Sequence, residues 1–179
     1  SALIMGFGRI GQRVGALCRA LGLRVAAFDP YMERSPVEGV EMVKDFRAIL
    51  PETDFLCLHL PSTPETRDLI GAGELALLKR GAFVLNCARG GIVDEDVLCD
   101  ALESGHVGGA GLDVFAKEPP DTAHRLFRQE KDLLSPHNAA LTEECAIRMA
   151  TQAVQNVLDC LDGKLQPRVV MNRREIGMA

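Results

Sequence analysis

The fold follows from the segment LIMGFGRIG near the start of the chain, Leu3–Gly11. It opens with a short apolar run, Leu3–Met5, that is typical of a buried strand, and helical periodicity follows over Arg9–Leu21. The glycines of the turn between them form the pattern GxGxxG: Gly6, Gly8 and Gly11. In such a turn the first glycine allows the tight bend, the second lets the backbone approach a pyrophosphate, and the third lets helix and strand pack closely. The segment therefore predicts a dinucleotide site at the N-terminus of a helix that begins with Arg9 and Ile10.

A carboxylate follows this motif at the expected spacing. Residues 24–28 form a second apolar run, and Asp29 ends it about 20 residues after the glycines, where an acid accepts a hydrogen bond from a ribose hydroxyl. A carboxylate at that position repels a 2′-phosphate, so NAD is favoured over NADP as the cofactor. The nearby cation Arg34 lies beyond Pro30, and we expect it to point to solvent.

Strand and helix signals alternate through the rest of the chain. Further strands are predicted at residues 55–60, 82–85, 107–114 and 132–134, and further helices near 45–50, within 62–78, and at 94–104 and 142–161. Asp94 and Thr142 are the predicted N-caps of the last two helices. Strands separated by helices imply βαβ units with right-handed crossovers. The predicted fold is α/β, a doubly wound parallel sheet of the Rossmann type with helices on both faces.

We expect residues 1–165 to form one nucleotide-binding domain. Residues 166–179 begin as an extended apolar segment without a partner in this sheet, and we expect them to lead toward another domain. The chain opens inside its first core strand, which indicates a piece of a longer protein.

Composition narrows the classes of partner and the cellular compartment. An apolar content of 47 % suits a globular core, and a net charge of −5 gives no basic surface for nucleic acid or an anionic membrane. No apolar run approaches the roughly 20 residues that span a bilayer, and no signal peptide is recognised. The six cysteines include no CxxC pair, so we expect buried free thiols, no metal site and a cytoplasmic protein.

Three polar side chains follow later apolar runs and lie among turn-forming residues: Arg89, Glu118 and His137. Loops at the carboxyl ends of parallel strands share one edge of the sheet, where ligands bind. A cation, a carboxylate and an imidazole gathered there beside a nucleotide site could bind and protonate a keto acid.

The segments that carry these residues read NCARGGIVDEDVL, GLDVFAKEPP and LSPHNAALTEE. They resemble the D-isomer-specific 2-hydroxyacid dehydrogenases, and the phosphoglycerate and hydroxypyruvate (glycerate) branch is most similar. The resemblance runs from GFGRIG through the last predicted helix. It implies an oxidoreductase that transfers a hydride between NAD(H) and a small D-2-hydroxy or 2-keto acid, with 3-phosphoglycerate and glycerate or hydroxypyruvate as candidate substrates.

The resemblance also implies roles for the three side chains. His137 would be the proton donor, since an imidazole titrates near neutral pH. Glu118 would bond its second ring nitrogen, which fixes the tautomer and favours the charged ring. Arg89 would hold the substrate carboxylate and polarise the carbonyl, because its planar fork fits a carboxylate better than lysine does.

Further cofactor contacts are implied by the same resemblance. Asp113 would lie near the nicotinamide, while Cys87 and Ala88 would contribute mainly backbone. The full set comprises Gly6, Gly8, Arg9, Ile10, Gly11, Asp29, Leu60, Pro61, Thr66, Cys87, Ala88, Arg89, Asp113, His137 and Ala140. The chain has Ala139 where family members often have glycine, which could alter the fit at the nicotinamide.

The family usually folds a separate substrate domain, largely from residues before the nucleotide motif. That domain is absent here, so we expect this segment alone to bind NAD weakly and to turn over poorly. We expect the side chains that contact the variable end of the substrate to lie mostly in that domain. The family usually dimerises through the nucleotide-binding domain, so we expect a homodimer.

Other functions on the same scaffold stay open. One is an NAD(H)-sensing module similar to the corepressors that resemble this family, and another is phosphonate oxidation. Formate oxidation is disfavoured, since formate enzymes of this type pair their histidine with glutamine rather than with a residue like Glu118. The amphipathic last helix could also serve a subunit contact.

Overall fold

Seven strands form one parallel sheet within the residues that the computed structural model describes, 1–173 and 175–177. In chain order they are β1 (Ala2–Met5), β2 (Val25–Phe28), β3 (Val40–Met42), β4 (Phe55–Leu58), β5 (Ala82–Asn86), β6 (Val107–Leu112) and β7 (Asp132–Leu134). Their order in the sheet is β3-β2-β1-β4-β5-β6-β7, and every neighbouring pair is parallel. The chain starts in the middle, builds to one edge and then returns to build the other, which confirms the predicted doubly wound sheet.

Four α-helices occur in the described part of the chain: α1 (Arg9–Ala20), α2 (Ala72–Leu77), α3 (Glu95–Glu103) and α4 (Glu143–Leu161). Short 3-10 helices span Leu50–Glu52, Arg125–Arg128 and Pro167–Val169. Both predicted N-caps are confirmed, because Asp94 accepts from the N–H groups of Asp96 and Val97, and Thr142 accepts from that of Cys145. No helix within these described ranges is long and apolar enough to cross a membrane.

The side chains of β1 alternate between two buried clusters, one on each face of the sheet at its centre. Leu3 and Met5 belong to a buried cluster that includes Leu98 of α3. Ile4, between them in the chain, belongs to a second cluster against which Val14 of α1 packs. Successive strand side chains point to opposite faces, so a strand buried on both sides reads as a continuous apolar run.

Three local predictions are wrong. Residues 45–49 form a bend and a turn that lead into the 3-10 helix beginning at Leu50, rather than a helix of their own. Strand β3 was missed, since it is a short edge strand and Val40 is its one buried residue. The tail predicted to be extended contains a 3-10 helix that begins at Pro167.

The cysteines are free throughout the described residues, as predicted. Their predicted burial is confirmed for Cys57 and Cys99 and wrong for Cys87 and Cys160, which are exposed; Cys18 and Cys145 are half-buried. The chain divides by its contacts into one unit over residues 1–137 and a second from Asn138 onward. The boundary near residue 165 stays a prediction.

The second unit is built around α4. None of the residues of this helix is buried, and apolar side chains recur along it at helical spacing: Ile147, Val154, Val157, Leu158 and Leu161. The amphipathic pattern predicted for this helix is therefore present as an exposed apolar stripe.

Candidate active site

The glycines of the turn after β1 have two different roles: two are required by close packing, and one leaves open space. Gly6 has φ +86°, and a Cβ there would lie 2.6 Å from the His59 carbonyl oxygen. A Cβ at Gly11 would lie 2.1 Å from the Gly6 carbonyl oxygen, so both positions exclude a side chain by contact with backbone. A Cβ at Gly8 would meet no atom within 4 Å. Gly8 therefore opens the space in front of the helix.

The N-terminus of α1 suits an anion in that space. Gly8 is the N-cap, no side chain caps the helix, and its first turn carries no acidic residue. The first N–H groups of a helix have no intrahelical partner, and the helix dipole favours negative charge there. Arg9 and Ile10, which carry two of these N–H groups, are exposed. The cradle fits the pyrophosphate of a dinucleotide.

Asp29 lies at the end of β2, beside this turn, and has a structural role that sequence reasoning missed. Its Oδ2 accepts from the Phe7 N–H at 2.9 Å, and its Oδ1 accepts from the Tyr31 N–H at 2.9 Å. Each carboxylate oxygen has two lone pairs, so acceptor positions remain for a ribose hydroxyl. The carboxylate therefore fixes the glycine turn and is still able to bind the ribose.

Asp29 also lines an open cleft of about 560 Å³ together with Arg34 and Lys44. The expectation that Arg34 points to solvent is incomplete, because its exposed side chain borders the same cleft as Asp29. Glu33 lines this cleft as well, so a 2′-phosphate there would meet two cations and two carboxylates.

The loop after β4 carries the predicted contacts Leu60, Pro61 and Thr66. Leu60 is buried and Pro61 is exposed. The Thr66 hydroxyl donates to the Pro61 carbonyl at 2.7 Å and accepts from the Thr63 N–H at 2.8 Å. Thr66 therefore shapes this loop through its hydroxyl.

Arg89 lies in the turn after β5, and Asn86 holds that turn. The buried Asn86 amide donates to the Arg89 carbonyl at 2.9 Å and accepts from the Ala88 N–H at 3.1 Å. The Arg89 guanidinium is exposed and donates to the Ala88 carbonyl at 2.6 Å. Sequence reasoning missed this role of Asn86, although a polar residue at the end of an apolar run is a signal for a side chain that hydrogen-bonds the backbone of the following turn. Cys87, between them, is exposed.

Glu118 and His137 are in direct contact. His137 Nδ1 lies 2.8 Å from Glu118 Oε2, and Glu118 Oε1 accepts from the Phe115 N–H at 3.1 Å. The bond from His137, together with the bond from Phe115, holds the pKa of the Glu118 carboxyl below its usual range. An ionised carboxylate only accepts, so His137 donates from Nδ1 and its Nε2 is left for another partner.

The loops of all three side chains follow neighbouring strands, β5, β6 and β7, at the carboxyl edge of the sheet. The loop of Arg89 packs directly on the strand-to-loop segment that leads to Glu118. A Cβ at Gly90 would lie only 1.8 Å from the Phe115 carbonyl oxygen. Asp113, also predicted at this edge, is 3 % exposed and accepts from the Ser135 hydroxyl at 2.6 Å. Ala140 belongs to the second unit.

A doubly wound sheet with a glycine cradle for pyrophosphate and a carboxylate–imidazole pair at its carboxyl edge defines a nucleotide-binding domain of the dehydrogenase class. Residues 1–139 match the family model for the NAD-binding domain of D-isomer specific 2-hydroxyacid dehydrogenases. The chain belongs to this family, and its cofactor is NAD.

Individual relatives agree with this assignment. The chain is 44 % identical over 169 residues to D-3-phosphoglycerate dehydrogenase of Mycobacterium leprae, covering 93 % of this chain and 32 % of the relative. It is 39 % identical over 169 residues, with the same coverage of both chains, to D-3-phosphoglycerate dehydrogenase of Methanocaldococcus jannaschii. The NAD complex of the D-isomer specific 2-hydroxyacid dehydrogenase of Lactobacillus delbrueckii ssp. bulgaricus superposes with a TM-score of 0.85 and 30 % identity, covering 96 % of this chain and 56 % of that one. The chain thus spans about a third of the length of the curated relatives it matches.

Proposed function

We propose that the protein carrying this domain is an NAD-dependent D-2-hydroxyacid dehydrogenase and that Arg89, Glu118 and His137 are its catalytic residues. The observation that supports this most directly is the bond between His137 and Glu118 at the edge of the sheet to which the glycine cradle belongs. Bound NADH supplies the hydride for reduction of a 2-keto acid at its carbonyl carbon.

The residues of this chain supply the proton and the orientation. His137 Nε2 donates a proton to the carbonyl oxygen as the hydride reaches the carbon, so that a hydroxyl forms. Glu118 accepts from Nδ1 throughout, which keeps the ring oriented and stabilises its charged form before the transfer. Arg89 leaves its bond to the Ala88 carbonyl to bind the substrate carboxylate as a bidentate partner.

The proposed substrate class is a small D-2-hydroxy acid, with 3-phosphoglycerate as the first candidate. The relatives named D-3-phosphoglycerate dehydrogenase support this choice. The cofactor-binding residues are proposed to be the full set identified from the sequence, with the Gly8 cradle for the pyrophosphate and Asp29 for the ribose. Residues 1–165 are proposed as the NAD-binding domain and 166–179 as a segment that leads toward a substrate domain.

We further propose a cytoplasmic homodimer. The free cysteines support a reducing compartment. The exposed apolar stripe of α4 supports a subunit contact. Light scattering of the full-length protein tests the dimer, and a monomer at micromolar concentration would contradict it.

Kinetics of the full-length protein test the function. We expect NADH oxidation that depends on a 2-keto acid, measured with phosphohydroxypyruvate, hydroxypyruvate, glyoxylate and pyruvate. His137→Ala should lower kcat by roughly 100-fold or more, since general acid catalysis contributes about 10²–10⁴-fold. His106→Ala, which removes an imidazole before the amino end of β6, is the matched control and should keep kcat. Retention of full activity by His137→Ala would refute the proposed mechanism, and NADH binding without turnover of any keto acid would favour a sensing module.

A further inference from the structure

The hydroxyl of Ser135 connects the carboxylate of Asp113 to the loop that carries His137. Ser135 follows β7 directly, and its N–H donates to the Leu112 carbonyl at 2.9 Å. Its Oγ donates to Asp113 Oδ1 at 2.6 Å, while the Asp113 N–H donates to the Asn86 carbonyl at 3.0 Å. Hydrogen bonds to an ionised acceptor are short and stronger than neutral ones. Ser135 is therefore held by both its backbone and its side chain to residues at the end of β6.

His137 has a backbone conformation that needs such support. Its φ is +53°, in the left-handed region that residues other than glycine rarely adopt. Its N–H donates to the Ser135 carbonyl at 3.1 Å, so the conformation depends on where Ser135 lies. A residue held in this region is strained and persists where its surroundings fix it.

These hydrogen bonds form a closed ring of contacts that passes through the His137 imidazole. This ring of contacts runs from Asp113 through Ser135 to the backbone of His137. It continues from the His137 imidazole to Glu118, and from Glu118 to the N–H of Phe115. Phe115 follows Asp113 by two residues in the chain, which completes the ring. The imidazole is thus bonded directly to Glu118, while the backbone of His137 is connected to Asp113 through Ser135.

We propose that Ser135 is a positioning residue, whose hydroxyl bond to Asp113 holds His137 in the left-handed conformation that directs Nδ1 to Glu118 and leaves Nε2 for the substrate. The inference rests on the proposed function of His137. Without the hydroxyl, Ser135 loses its side-chain anchor, His137 relaxes toward negative φ, and the ring moves away from Glu118.

Turnover of the full-length protein gives the first test. Ser135→Ala should lower kcat for keto-acid reduction by about tenfold, since small misplacements of a catalytic group cost up to ~100-fold. The KM for the keto acid should stay within twofold, because the turn that carries Arg89 is held by Asn86. Ser135→Thr, which restores a hydroxyl, should recover most of kcat. Ser104→Ala, which removes an exposed serine hydroxyl at the end of α3, is the matched control and should change neither constant.

Ring ¹⁵N spectra of His137 give a second test that needs no activity. At a pH where the ring is neutral, the wild-type imidazole should carry its proton on Nδ1, facing Glu118. In Ser135→Ala the Nε2 tautomer should gain population, since it is the form that free imidazole side chains prefer. Ser135→Cys, nearly equal in size to serine but a weak donor, should show the same change where the alanine variant fails to fold.

The outcomes separate the two proposals. A tautomer change in Ser135→Ala with recovery in Ser135→Thr supports the positioning role, even where the wild type reduces none of the keto acids tested and the proposed function fails. An unchanged tautomer in Ser135→Ala or Ser135→Cys would overturn the positioning role. A loss of kcat that Ser135→Thr shares in full, with the tautomer unmoved, also overturns it, since that pattern reports only a structural defect.

Discussion

Replacing Gly8 by alanine should separate cofactor binding from folding. Gly8 has φ −74°, which alanine adopts, and its Cβ would meet no protein atom within 4 Å. Alanine is a poorer N-cap than glycine by about 0.5–1 kcal/mol, and the unfolded chain loses about 0.4–1 kcal/mol of conformational freedom in compensation. The free energy of unfolding should therefore change by less than about 1 kcal/mol.

The added methyl group stands where the backbone approaches the pyrophosphate. It should cost one hydrogen bond between a helix N–H group and the phosphates, at about 1.5–3 kcal/mol for a charged partner. The Kd for NAD should then rise by roughly 10- to 100-fold. Calorimetry measures the Kd directly, and the fluorescence of Tyr31 gives a second signal. Tyr31 is the chain's single tyrosine, the chain has no tryptophan, and Tyr31 is 96 % exposed next to the Asp29 cleft.

Two further glycines provide the controls. Gly11→Ala should lower the free energy of unfolding by at least about 1–3 kcal/mol, since its Cβ would lie 2.1 Å from a backbone oxygen and overpacking of this kind is destabilising. Gly73→Ala, inside α2 with open space around its Cβ, should raise stability slightly and leave the Kd for NAD unchanged. The reasoning is refuted if Gly8→Ala binds NAD as tightly as the wild type, or loses as much stability as Gly11→Ala.

Three other predictions follow from the contacts of single side chains. The pKa of Glu118 is lowered in the folded state, so its contribution to stability is present above the ordinary carboxyl pKa of about 4.3 and is lost as pH falls through the lower folded value. Below about pH 4.3 the free energy of unfolding of Glu118→Gln should therefore fall less with pH than that of the wild type, and the difference should be less than ~1 kcal/mol for this partly exposed pair. Parallel pH dependences of the two proteins would contradict the assignment of this effect to Glu118. Burial raises the pKa of the Cys57 thiol to about 12, whereas Cys87 is exposed. Iodoacetamide followed by peptide mass spectrometry should label Cys87 well before Cys57 in the native protein, with NAD slowing Cys87, and equal rates would show that the native burial is wrong. Asp29→Asn should lower the free energy of unfolding by about 1–3 kcal/mol, measured by thermal unfolding, because one of two backbone N–H groups loses its acceptor. It should also reduce the ratio of NAD affinity to NADP affinity, measured by paired cofactor titrations. An unchanged ratio would show that Asp29 does not select the cofactor.

The sequence was sufficient for strands such as β1 and β4 because these are buried on both faces over most of their length. Runs such as 3–5 and 55–58 are continuous and apolar, and helical periodicity separates them, so their identity needs no knowledge of tertiary contacts. Strand β3 was not predictable in this way, since an edge strand with one buried residue, Val40, carries little periodic signal. The helix expected near residue 45 is replaced by a turn that leads into the short 3-10 helix Leu50–Glu52.

The candidate site was predictable in its residue types but not in its supports. Polar residues after apolar runs indicate which side chains reach the carboxyl edge, and this pointed to Glu118 and His137. The contacts that orient them come from backbone groups such as the Phe115 N–H and from hydroxyls such as that of Ser135, and no spacing rule reports these. Ser135 joins the end of β7 to Asp113 after β6, so its role depends on the register of the sheet, whereas the Asn86 amide bonds only within its own turn.

That register connects the site to glycines far from it in the chain. A Cβ at Gly109 of β6 would lie 2.7 Å from the Lys131 carbonyl oxygen and 2.8 Å from the Phe83 ring. The glycine therefore allows β7, which begins just after Lys131, to lie close against β6. Because β7 leads directly into Ser135, this close approach brings the serine hydroxyl within 2.6 Å of Asp113. The position of the His137 ring thus depends on the close backbone approach of Gly109 and Lys131 at the start of the β6–β7 pair, although neither residue belongs to the candidate site.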